Sequence, residues 1–128
     1  MVCCGSQTIV QNDTYGPPIN VTPIAPAVVS SLTGWQAEIW IRDTVGNLAA
    51  WFGTSGRTTP DPAPAVVGAI TNPAPTTLPL AMQVTPVAFS VQPGAYTGQA
   101  HVWDAGGNRT SNPDEWWAIN VVADRSLS

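Results

Sequence analysis

The chain has 128 residues, 44 % of them hydrophobic and only 9 % charged, with a net charge of −4; that is the length of one domain, enough to bury a core without disulfide staples. Lysine is absent, so Arg42, Arg57, Arg109 and Arg125 are the whole positive inventory, which excludes the basic patch a nucleic-acid binder needs to neutralise phosphates. No run of about twenty apolar residues is present to span a membrane, and six tryptophans supply apolar area that disordered chains lack.

Residues 1–18 read as an extended N-terminal arm, polar and closed by Gly16-Pro17-Pro18. Met1-Val2-Cys3-Cys4-Gly5 has neither the basic start nor the apolar run of a secretory signal, so the adjacent cysteines are expected to be two reduced thiols. Without a signal the triplets at Asn12, Asn20 and Asn108 carry little weight as glycosylation acceptors. Within the arm Thr8-Ile9-Val10 resembles a short strand, and Ile9 and Val10 are candidates for adding to the sheet edge of a partner.

A β-domain is expected over residues 19–123. Ile19, Val21 and Pro23 begin it, with Pro23 and Pro26 suited to an edge or a bulge, and Ala27 to Leu32 continues it. From Trp35 to Arg42 the residues alternate: Trp35, Ala37, Ile39 and Ile41 on a core face, Gln36, Glu38, Trp40 and Arg42 on the other. Asp43 to Asn47 supplies a turn, and Leu48 to Phe52 returns. Residues 53–64, dense in Gly, Thr, Ser and Pro, read as a surface loop and a possible contact arm. Strands are then expected at Ala65 to Ile70 and Leu78 to Val84, and Val87 to Gly94 leads into a strand over Ala95 to Trp103. Tyr96 to Asn108 repeats the first hairpin's recipe without a gap, Trp35 falling on Tyr96, Ile39 on Ala100, Ile41 on Val102, Asp43 on Asp104 and Gly46 on Gly107. A last strand spans Trp116 to Val122, and 124–128 form a tail. About seven strands with turns between them and no convincing helix suggest a single immunoglobulin-like β-sandwich, lacking the disulfide of antibody domains.

Chemistry has few candidates. Hydrolysis needs a nucleophile beside a base or paired carboxylates of shifted pKa. The chain has one histidine, His101, and no Gly-x-Ser-x-Gly elbow. Asp114 and Glu115 are neighbours whose side chains diverge in a strand. Asp104 to Asn108 reads as a tight turn, lacking the later bidentate Glu of a calcium loop. No enzyme activity, cofactor or metal is therefore expected. Trp40, His101 and Trp103 face outward by alternation. Such residues are covered by a loop, packed against a neighbouring subunit, as aromatic anchors of interfaces are, or stacked on a sugar.

Leu32-Thr33-Gly34-Trp35 running through Arg42, and Gln92-Pro93-Gly94-Ala95-Tyr96-Thr97-Gly98 running through Val102-Trp103-Asp104 to a Trp-rich closing strand, resemble the small β-sandwich of tailed-phage structural proteins, in particular the N-terminal domain of baseplate upper proteins. The resemblance covers roughly Ile19 to Val122. The chain departs from that pattern in having its own N-terminal arm and in stopping where baseplate upper proteins continue into a receptor-binding or fibre part. The resemblance implies a bacteriophage virion structural protein assembled in the host cytoplasm. Joined to the weakly charged surface, it leads us to expect a capsid decoration or cement protein that forms homo-oligomers and binds major capsid or tail proteins through Ile9, Val10, Trp40, His101, Trp103 and the Pro-rich loop. A tail or baseplate component and a carbohydrate-binding module for host adsorption are the alternatives.

Overall fold

Residues 6–15, 19–20, 34–71, 81–107 and 116–123 are described by a computed structural model. In chain order the strands are β1 (Ser6–Val10), β2 (Thr14–Tyr15), β3 (Ile19–Asn20), β4 (Gln36–Asp43), β5 (Leu48–Thr54), β6 (Val66–Thr71), β7 (Ala81–Val84), β8 (Val87–Ala88), β9 (Gly94–Trp103) and β10 (Trp116–Val122). The protein is all-β, with no helix among the described residues. Eight strands form one mixed sheet in the order β1-β10-β9-β4-β5-β6-β7-β3, and β2 pairs with β8 in a small second sheet. The pairs β1–β10 and β5–β6 are parallel, the others antiparallel.

Ile9 of β1 and Val84 of β7, from opposite ends of the sheet, belong to the same buried cluster as Ile39, Ile41, Phe52, Ile70, Ala100 and Ile119. A sheet whose two ends share one core must curl around it. Residues 85–92 close the open side: the Thr85 N–H donates to the Ala69 carbonyl, the Asn12 N–H donates to the Phe89 carbonyl, the Phe89 N–H donates to the Asp13 carbonyl, and the Gln11 side chain donates to the Val91 carbonyl. Phe89, fully buried, meets Tyr15 edge-on at 5.2 Å between ring centroids.

The two strands of one recipe are direct neighbours. Ile39 and Ala100 are aligned in the repeat and are also partners in the antiparallel β4–β9 ladder, so a local twofold axis passes through that pair. Both turns are held by an aspartate. The Asp43 carboxylate accepts from the backbone N–H groups of Val45, Gly46 and Asn47 at 2.9–3.0 Å, and Gly46 takes φ +102°, a left-handed conformation natural to glycine. Asp104 accepts from the Gly106 N–H, and Gly107 takes φ +86°. The Asn47 backbone N–H, with the other turn N–H groups, lowers the Asp43 pKa. Opposite it on β9, Tyr96 donates its hydroxyl to the Gln92 carbonyl four residues upstream at 2.6 Å; burial first, and the Asp43 charge second, raise its pKa.

Three expectations change. The first strand segment of the N-terminal arm is part of the domain: β1 lies along β10, and Ile9 is 7 % exposed in the core. Alternation decides this, because Ile9 falls on the core face beside Val121, and leaving it in water would forgo its transfer energy. Ile9 is therefore a core residue. The loop expected over 53–64 starts two residues later, since Gly53 and Thr54 are buried in β5. Ten strands are described, three of them two residues long, against about seven expected. The segment 27–32, the pairs Cys3-Cys4 and Asp114-Glu115, and the tail 124–128 lie outside the described residues.

Candidate functional site

The face of the sheet turned away from the core is built by the even-numbered positions of β4. Gln36 stands opposite Trp103, Glu38 opposite His101 on one side and Gly53 on the other, and Trp40 opposite Gln99 and Trp51. Directly opposed residues share a face, so the aromatic and polar side chains of β4, β5 and β9 are gathered into one patch.

Within it Glu38 is 6 % exposed. A carboxylate that deep in a sheet requires partners, and both of its oxygens have one: the Trp40 Nε1–H donates to Oε1 at 2.9 Å, and the Arg57 Nε–H donates to Oε2 at 3.1 Å. Arg57 comes from the Pro-rich loop that follows β5. Its Nη1 donates to the Gln36 Oε1 at 3.2 Å, and its guanidinium lies 3.8 Å from the centre of the Trp103 ring, a cation–π distance. One arginine thus ties the loop to β4 and β9 together. Arg42 places its guanidinium 5.0 Å from the centre of the Trp40 ring, and His101 lies 6.3 Å from Trp103 between ring centroids.

Trp51 completes the patch from β5. It is 3 % exposed although it points away from the core, and its indole lies over Gly53, where an added Cβ would fall 2.2 Å from the ring. Its Nε1–H is the one buried side-chain polar atom among the described residues without a hydrogen-bond partner. Trp40, His101 and Trp103 remain half-buried around it.

Alternation therefore places Trp40, His101 and Trp103 in one cluster, while Ile9 and Val10 stand apart on edge strand β1, with Val10 half-buried. Glu38 was legible only as a member of the outward face, and Trp51 only as part of a return strand. Arg57 gave no local sign beyond being one of four cations in a chain without lysine. Both carboxylate oxygens of Glu38 are engaged, so the cluster holds the side chains of β4 and of the loop still. Among the described residues no three His, Cys, Asp or Glu side chains converge as metal ligands would. Comparison of the chain with known protein families, curated proteins and solved structures finds no match.

Proposed function

We propose that this chain is a non-enzymatic structural protein of a bacteriophage virion, of the capsid decoration or cement type, which attaches through the outward face of β4, β5 and β9. The observation that carries this reading is the Arg57–Glu38 tie. It fixes Trp103 and Trp40 in place before any partner arrives, and half-buried Trp and Arg on a rigid support are the residues that anchor protein interfaces. Rigid anchors lose little conformational freedom on binding. Burial of their remaining apolar surface contributes roughly 25 cal/mol per Å² before the cost of association is subtracted. The low density of charge across the chain leaves little repulsion to oppose packing against a second copy or a capsid neighbour.

The same geometry disfavours sugar stacking on this face, because a guanidinium already covers one side of Trp103. The test is an immunoblot of gradient-purified particles from the source, followed by immunogold electron microscopy with antibody raised against the recombinant chain. The chain is expected in the particles, with gold distributed over the heads. Gold confined to the tail end would replace the cement role with a baseplate role. Absence of the chain from denatured, purified particles would overturn the virion reading.

A further inference from the structure

At the end of the sheet where β4 begins and β5 and β6 finish, a groove of about 460 Å³ opens. It exists because the β4–β5 backbone ladder stops at Glu38 and Gly53. One step further, the Ala37 N–H donates to the Thr54 Oγ1 at 3.1 Å and that hydroxyl donates to the Ala37 carbonyl at 3.4 Å. A side chain replaces the backbone partner, the chain turns away at Ser55-Gly56, and the gap forms the groove. Gly56, at φ +96°, lets the loop descend onto Gln36, since a Cβ there would fall 2.7 Å from the Gln36 Nε2.

The walls specify a chemistry. Trp35 packs against the core cluster and borders the groove, Ile70 adds apolar surface, and Gln36, Ser55 and Thr71 bring an amide and two hydroxyls. The Gln36 Oε1 accepts from Arg57, which fixes the orientation of its amide. Among the described residues no charged side chain lines the groove. An anionic ligand would find no counter-charge there, and a purely apolar one would strip water from three polar side chains without replacing their bonds. A neutral ring with an apolar face and a hydroxyl-bearing edge satisfies both kinds of wall, and the volume lies in the range of small-molecule sites. We propose that this groove binds the pyranose rings of a neutral oligosaccharide, as a site that borders the outward aromatic face at Gln36 and is independent of the virion reading.

The test uses the full chain on an array of neutral glycans, followed by saturation-transfer-difference NMR with the glycans retained, or with cellobiose, maltose and lactose if none is retained. Saturable binding is expected, weakened at least about tenfold, the equivalent of 1.4 kcal/mol, in Ser55→Trp, which fills the groove from an exposed position, and unchanged in Val45→Trp, which puts the same bulk on the exposed turn beyond the far end of β4. Thr71→Trp blocks the opposite wall and serves if Ser55→Trp does not fold. No binding to any neutral glycan, binding indifferent to the groove-filling variants, or binding lost equally in Val45→Trp would each overturn the proposal.

Discussion

Replacing Arg57 with alanine tests the device that joins the Pro-rich loop to the sheet. The substitution removes a charge-assisted hydrogen bond to Glu38, a second bond to Gln36 and the guanidinium over Trp103. Bonds to charged groups are worth about 1.5–3 kcal/mol and a cation–π contact about 0.5–2 kcal/mol. The pair is asymmetric, with the Arg57 side chain 27 % exposed and that of Glu38 8 %. Water reaching Arg57 screens the attraction toward the roughly 0–1 kcal/mol of surface pairs. The buried carboxylate left behind pulls the cost toward the 3–5 kcal/mol of broken interior pairs. The expected loss is ~2 kcal/mol, a fall in Tm of roughly 8 °C for a domain of this size. Glu38→Gln keeps an acceptor for the Trp40 Nε1–H and removes the charge. In that background Arg57→Ala should cost only about 0.5–1 kcal/mol, the difference being the coupling of the pair. Thermal and urea unfolding followed by tryptophan fluorescence measure all four corners of the cycle. A loss below about 0.5 kcal/mol in the single variant, or equal losses in both backgrounds, would refute the claim that Glu38 depends on Arg57.

Two further substitutions probe the scaffold. In Gly68→Ala the new methyl would lie 2.5 Å from the ring of fully buried Phe52, its partner across the β5–β6 pair. Overpacking of this kind costs about 1–3 kcal/mol, read as a lower midpoint in urea. Asp43→Asn tests the turn through pH. The native pKa of Asp43 lies below its ordinary value of 3.8, so between the two the unfolded chain binds more protons and stability falls as pH drops. The contribution is complete above the unfolded value and lost through the native one, and urea unfolding below about pH 4 should depend less on pH in the variant than in the wild-type protein.

Much of the strand layout was determined by the sequence by itself. The alternation from Trp35 to Arg42 sorted Ala37, Ile39 and Ile41 to the core and Glu38 and Trp40 to the other face, because side chains of a strand follow a period of two whatever lies beside it. The Asp-x-x-Gly turns were equally local, since an aspartate reaches N–H groups only a few residues ahead. Tertiary structure decided which strands meet. The repeat announced two like strands but not that Ile39 would face Ala100 across a ladder, and Ile9 looked like an arm residue until β10 supplied its neighbour. The outward cluster depended on tertiary structure most of all. Arg57 lies 19 positions from Glu38 and 46 from Trp103, in a loop whose composition constrains its backbone but not its direction. Its place is set by the buried carboxylate whose Oε2 it bonds at 3.1 Å, a requirement that exists only once the sheet has taken Glu38 out of water.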